Sequence, residues 1–552
     1  MRKVIVGAAT VLIGFVIGFW FNPLISGDNV FEQVKKFDRV LQTANRNYVE
    51  DVDTQKLVQA AIKGMLEELD VHSVYIPADK MKEVEEDFEG KFEGIGVVFN
   101  ILNDTITIVS PIPGGPSEKL GITSGDKIVN IDGEDAVGIE MDEVPKKLKG
   151  PKGTIVEVDI FRQGEPELLH FTIERDEIPI NSVDASYIID GTDIGVLKVN
   201  RFMATTHQEV VSALKELKTE GMKKVIMDLR GNPGGYLTQS FLMADEFIPA
   251  NETIVFTKGR RPEFNDILKS QGGQEFEELP IIVLIDAGSA SASEIFSGAI
   301  QDLDRGLIVG ETSYGKGLVQ RQYPIGDGSA FRLTISKYYT PSGRCIQRPY
   351  KDEDKYRKLV GRFELEEGSY LENAIEKIKD QVHAANKEAE NKEDTIDVES
   401  LPIYNTKSGR VVFGGGGITP DYIVKHDTIT KFSAKIRSRN LFFDFVDQYL
   451  KSDGKSVVQK YENNWIDFQR NYQLSDEAME QFKELVIAKD IEWDEELYEA
   501  DKDFLLKALK ANIARSIWGR EEYLAVFYKM DKQMQKAIEL FPIAEEFAEH
   551  NY

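Results

Sequence analysis

The sequence predicts an α/β protein with a helical region before its core and another after it. Two observations carry that expectation. Short apolar runs at residues 194–199, 225–229, 281–285 and 307–309 alternate with amphipathic stretches at 207–217 and 295–303. Strand–helix–strand alternation of this kind builds a parallel sheet with helices packed on it. Outside the core, apolar residues recur at helical spacing: Phe37, Val40, Leu41, Ala44 and Tyr48 on one side, Leu505, Ala508, Leu509 and Ile513 on the other.

The run 281–285 follows Pro280 and ends at Asp286, so it reads as a buried strand. Gly288-Ser289-Ala290-Ser291-Ala292-Ser293-Glu294 follows, and residues 295–303 read as a helix. Three serines therefore stand at a strand-to-helix junction. The first N–H groups of a helix lack intrahelical partners and can receive an oxyanion. The same residues also fit a capping box, with Ser291 as N-cap and Glu294 three positions on. Further along, Lys316 lies between Gly315 and Gly317. Flanking glycines let a backbone bend tightly enough to aim an amine inward. A desolvated Lys gives up its proton more readily and can act as base for a Ser. The nearest upstream histidine is His207, so a Ser–Lys pair is the more economical reading than Ser–His–Asp. Spacing alone does not choose among Ser289, Ser291 and Ser293.

These stretches, with 309–312, the glycine-rich 225–235 and Lys337-Tyr338-Tyr339-Thr340-Pro341-Ser342-Gly343-Arg344, resemble the C-terminal processing peptidases, or tail-specific proteases. The resemblance covers roughly residues 35–425. It implies a crotonase-like protease core in which Ser291 is the nucleophile, Lys316 the general base and Gln320 the residue that positions Lys316. It also implies an oxyanion hole made by Ala292 and by Gly234 or Gly235. No metal or other cofactor is implied. His72, alone and without a paired acid at a suggestive spacing, is not expected to be catalytic.

Residues 92–175 resemble a PDZ domain. Gly94, Ile95, Gly96 and Val97 match its carboxylate-binding loop, whose consecutive N–H groups converge on a peptide terminus. Residues 116–122 and 125–133 match the middle of such a domain. The implied partners are proteins or peptides with unstructured, apolar C-termini. Two other readings compete: a membrane-tethered PDZ adaptor with a vestigial core, and an acyl-CoA enzyme of related fold.

Composition bounds the function class. A chain of 552 residues holds about three to four domains. Its net charge of −27 would repel phosphate, which argues against a nucleic-acid partner. Cys345 is the one cysteine, so no intrachain disulfide forms. Arg2 and Lys3 precede an uncharged apolar run, residues 4–25, of about the 20 residues a bilayer span needs. The basic flank keeps the N-terminus cytoplasmic and predicts export of the rest to the periplasmic side, anchored in the inner membrane. A cleaved signal and a soluble periplasmic protein is the alternative.

The expected order is an anchor or signal segment (1–27), an N-terminal helical region (28–90), the inserted PDZ domain (91–176) and the protease core (177–349). A charged insertion (350–405), a return to the core (406–430) and a C-terminal helical extension (431–552) follow. The four glycines 414–417 read as a close-packed turn. The extension is expected to be a partner surface, a homo-oligomer contact or a cap over the core.

Overall fold

The computed structural model describes residues 29–102, 104–348 and 403–549. The apolar run 4–25 and nearly all of the charged insertion lie outside them. The described residues form two compact units. One holds residues up to Met81 with Gln320–Thr334; the other holds Lys82–Val319 and the chain from Ile335 onward.

In the first unit, helix Val30–Asn47 starts at Asn29, whose side chain accepts the Phe31 N–H. Helix Thr54–Glu67 starts at Asp53, which accepts the Lys56 N–H. Each cap satisfies an N–H that a helix start leaves without a partner. Among the described residues the first helix buries none of its side chains, and Phe37, Val40 and Tyr48 stay exposed. A turn follows in which Asp70 accepts the His72 and Ser73 N–H groups, both at 2.8 Å. Strand Val74–Ile76 then pairs antiparallel with Ala330–Arg332.

The second unit contains the expected core. Its six-stranded sheet runs in the order Val183–Ile188, Ile194–Val199, Lys224–Asp228, Ile281–Ile285, Leu307–Gly310, Tyr422–Ile423. The first pair is antiparallel and the others are parallel. Every residue of Ile281–Ile285 is fully buried, because helices cover both faces of the sheet. Alternate residues serve opposite faces. Val225, Met227, Val283 and Ile285 pack against helices Thr206–Thr219, Leu237–Asp245 and Ala292–Asp302. Ile226, Ile282, Leu284 and Val309 pack against Met534, Ala537, Leu540, Phe541 and Ala544. Those residues belong to helices Lys532–Glu539 and Phe541–Glu549 and to the link between them.

The C-terminal extension therefore has two parts. Its last two helices are the second helical layer of the protease core. The preceding helices, from Lys431–Ser438 to Arg520–Phe527, enclose a core of their own around Phe445, Phe468, Phe482, Leu505 and Leu509. The PDZ-like region folds around Ile106, Ile108, Ile128, Val156, Val158 and Ile160. Strand Lys91–Gly94 pairs with Asp176–Pro179 at its base. Ile403–Asn405, grouped by sequence with the charged insertion, pairs with Val411–Phe413.

Candidate active site

The junction after Ile281–Ile285 is held by its serines, though not by all three in the same way. Buried Ser289 donates to the Leu229 carbonyl at 2.9 Å, and buried Ser293 donates to the Asn232 carbonyl at 2.9 Å. Asp286 Oδ1 accepts the Gly231 and Gly288 N–H groups at 2.8 and 2.9 Å. Two serines and an aspartate thus fix the 230–235 turn against the junction. Ser291, between them, is half-buried.

Ser291 has φ 54° and ψ −109°, a conformation that a side chain with Cβ rarely adopts. Such strain costs on the order of 1–3 kcal/mol and clusters where chemistry needs it. Its surroundings hold it there. The Ser291 N–H donates to Glu294 Oε2 at 2.7 Å, the reciprocal half of the expected capping box. The Ser291 carbonyl accepts the Glu294 and Ile295 N–H groups at 2.9 and 3.0 Å.

Glu294 does more than cap the helix. It is fully buried, and its Oε2 also accepts the Lys316 N–H at 2.9 Å. Its Oε1 accepts the Gly315 N–H at 2.7 Å and the Ser313 hydroxyl at 2.5 Å. Burial pushes this carboxyl up from its ordinary value, and the four donors pull it back toward the ionised form. One carboxylate therefore joins the start of the Ser291 helix to the Lys316 loop. Buried Tyr338 adds a second tie: its hydroxyl donates toward the Lys316 carbonyl at 2.6 Å and the Ser291 carbonyl at 3.0 Å. Neither tie is legible in the motifs, because a buried Glu and Tyr look like any capping or core residue.

The glycines beside half-buried Lys316 are required. Gly315 has φ +89°, and a Cβ on Gly317 would fall 2.8 Å from the Gln347 N. Gly417 packs on Ser313, where a Cβ would lie 2.6 Å from the carbonyl oxygen, as expected of a close-packed turn.

In the 230–235 turn, Gly234 (φ +96°) faces Ser291. A Cβ there would sit 2.8 Å from Ser291 Cβ and 2.9 Å from the Ala292 N. The Gly234 N–H itself donates to Asn232 Oδ1 at 2.9 Å. Gly235 crosses Phe202 so closely that a Cβ would meet the Phe202 carbonyl at 2.0 Å. At the start of the turn, Arg230 binds Asp228 through Nη2 at 2.7 Å and Nε at 3.0 Å. Burial favours the neutral form of Asp228, but the charges of Arg230 and Lys198 prevail and hold its carboxyl well below the usual range. From the C-terminal segment, Asp531 Oδ2 and Gln533 Oε1 meet Arg230 Nη1. Arg230 thus anchors the turn to the second helical layer.

Gln320 belongs to the first unit, where its Nε2 donates to the His72 carbonyl. His207 pairs with Glu246 at 2.8 Å. In the carboxylate-loop segment, the Ile95 carbonyl accepts the Ser117 N–H and hydroxyl at 3.1 and 2.7 Å. Gly96, at φ +73°, accepts the Ile112 N–H at 2.9 Å, and Val97 opens strand Val97–Leu102. Among the described residues, no cluster of His, Cys, Asp and Glu is placed to hold a metal ion.

Residues 193–355 match the model of peptidase family S41, and 107–162 match that of the PDZ domain. Residues 25–80 match the N-terminal domain of the activating protease CtpB, and 432–519 match a family of unknown function, DUF8443. The carboxy-terminal-processing protease of Bartonella bacilliformis is 38% identical over 355 residues, 63% of this chain and 80% of the relative. The carboxy-terminal processing protease CtpB of Bacillus subtilis is 35% identical over 57% of this chain and 65% of its own. Among solved structures, the photosystem II D1 C-terminal processing protease is 26% identical over 56% of this chain and 89% of its own, with a TM-score of 0.32. The chain belongs to the carboxy-terminal processing proteases, PDZ-containing serine-type peptidases of family S41.

Proposed function

We propose that this peptidase is exported, captures protein C-termini in its PDZ domain and cleaves the captured chain by Ser–Lys acyl transfer. The observation that carries the reading is Glu294, whose Oε2 holds the backbone N–H groups of both Ser291 and Lys316. Ser289 and Ser293 are buried and donate to the neighbouring turn, while half-buried Ser291 carries the strained backbone.

In this mechanism neutral Lys316 takes the proton of Ser291 Oγ as the oxygen attacks the scissile carbonyl. The Ala292 N–H, first of its helix, and the Gly235 N–H receive the oxyanion, typically the largest electrostatic contribution to such a step. Because the Gly234 N–H is committed to Asn232, the role of Gly234 is to let the turn approach Ser291. Lys316 then protonates the leaving amine, and water releases the acyl group. Gln320 is the residue proposed to position Lys316. Gly94, Ile95, Gly96 and Val97 would hold the tail carboxylate.

The apolar run 4–25 supports export with a retained membrane anchor. Among the described residues no helix is long and apolar enough to cross a membrane, and 4–25 lies outside them. Mass analysis of the protein recovered from membranes tests retention, since a cleaved signal shortens the chain.

Incubation with an unfolded reporter ending in apolar residues tests the chemistry. Cleavage by the parent chain is expected, with none by Ser291→Ala or Lys316→Ala and tail binding retained by both. Turnover by either variant would overturn the assignment.

A further inference from the structure

The C-terminal helices also face the PDZ domain. A cavity of about 340 Å³ opens between them, lined on one side by Val98, Phe99 and Asn100 and on the other by Arg437, Asn440 and Arg515. Its PDZ wall is strand Val97–Leu102, which follows the carboxylate loop. Among the described residues that strand pairs on one edge only, with Thr105–Pro111, so its other edge is free to take an extended peptide. Val97, Phe99 and Ile101 pack on the PDZ core, while Val98 is exposed on the opposite face.

The charge of the cavity is unlike that of the chain. Two arginines and no acidic residue line it, in a protein of net charge −27. Among the described residues neither Arg437 nor Arg515 forms a salt bridge, whereas Arg162 of the PDZ domain and Arg520 of the C-terminal helices do. Residue Arg437 is exposed, whereas burial, with a smaller push from Arg520, draws the Arg515 pKa down, so an anion seated beside it would offset that cost. Aromatic rings, among them Phe442, Phe504 and Phe527, complete the lining.

We propose that this cavity is a specificity subsite for acidic side chains just upstream of the C-terminus of the substrate tail. The proposal rests on the PDZ reading given above. A tail added antiparallel to Val97–Leu102 alternates its side chains between the two faces of the sheet. With the last residue directed to the PDZ core, the third from last is too. The second and fourth from last then share the face of Val98 and Asn100, where Arg437 and Arg515 stand. Asp or Glu at those two positions pairs with the guanidiniums, and Lys or Arg there is repelled. The helical extension thus makes a PDZ domain that reads one apolar terminus into one that also reads charge.

Short fluorescent peptides binding to the full chain carrying Ser291→Ala test this without turnover. A peptide with Glu at the second and fourth positions from an apolar terminus is expected to bind about fivefold more tightly than its Lys counterpart. That preference should disappear in Arg437→Ala/Arg515→Ala, reverse in Arg437→Glu/Arg515→Glu, and fade in about 0.5 M salt. Unchanged thermal unfolding of both double variants excludes a folding defect. Equal binding of Glu and Lys peptides, or a preference that survives the double substitutions, overturns the subsite. Peptides with an amidated C-terminus separate the two layers. If they fail to bind, the PDZ reading stands whatever the charge result; if they bind as well as free termini, the PDZ reading itself falls.

Discussion

Arg230 Nη1 lies 2.6 Å from Asp531 Oδ2, joining the 230–235 turn to the segment just before helix Lys532–Glu539. Both side chains are only 16% exposed. The Arg230 guanidinium is shared between Asp228 below the turn and Asp531 and Gln533 beside it. Gln533 in turn donates to the Val424 carbonyl at 2.7 Å. The turn proposed to carry part of the oxyanion hole is therefore braced from the C-terminal layer.

Asp531→Ala leaves that guanidinium with fewer partners in a largely buried place, at a cost of about 3 kcal/mol in stability. We expect kcat to fall about tenfold with KM for a tailed substrate nearly unchanged, because the brace acts on the turn and not on the tail. Urea unfolding and steady-state hydrolysis check the two parts. Lost stability with unchanged kcat would reduce the brace to a purely structural contact.

Tyr338→Phe removes one hydroxyl, which takes a donor from the Lys316 carbonyl, while the Ser291 carbonyl keeps the Glu294 and Ile295 N–H groups. An unsatisfied buried acceptor costs about 1–3 kcal/mol. The expected result is a fall in kcat of about tenfold or more with tail binding intact. Acylation measured by a burst with an activated ester checks whether the loss lies in the Ser291 step.

The two turn glycines should fail differently. In Gly234→Ala the new Cβ meets Ser291 Cβ and the Ala292 N at 2.8 and 2.9 Å, so cleavage should stop while the chain still folds. In Gly235→Ala the Cβ would meet the Phe202 carbonyl at 2.0 Å, which a packed core cannot absorb. Poor soluble yield is expected for the second variant only. Comparing yield, circular dichroism and reporter cleavage for the pair checks this.

Lys510 provides a pH signature in the helical extension. Its Nζ donates to the Gln469 and Tyr472 carbonyls at 3.0 and 2.7 Å. Burial, with a smaller push from Lys529, brings its pKa from 10.5 down to about 8. Between these values the unfolded chain binds more protons than the folded one, so stability rises with pH across the window. The unfolding temperature of the parent chain should rise across it relative to Lys510→Met, which lacks the group. Parallel curves would refute the shift.

Much of the core was legible because its signals are local. The run 281–285 is continuously apolar and emerges as a strand with those bounds, and 194–199 likewise. The helix expected at 207–217 emerges as Thr206–Thr219. What the sequence hides is partnership. Ser289, Ser291 and Ser293 are chemically alike, and only folding ties the outer two to the Leu229 and Asn232 carbonyls. Glu294 reads as a cap residue, yet it spans two loops. Periodicity in the extension reveals an apolar stripe but not its counterpart, so Leu540 and Phe541 give no hint that they lie on Ile282 and Leu284. The stripe of Val30–Asn47 shows the converse, a helical pattern that buries none of its side chains among the described residues.

The second helical layer has a consequence for biosynthesis. Ribosomes deliver Ser291 and Lys316 long before helices Lys532–Glu539 and Phe541–Glu549. Until those helices emerge, Ile226, Ile282 and Leu284 have no cover on one face, and Arg230 lacks Asp531. A nascent chain can therefore carry both residues of the proposed Ser–Lys pair before the sheet beneath them is covered on both faces. Order of synthesis thus separates the arrival of the proposed Ser–Lys pair from the completion of the sheet and the turn beside it.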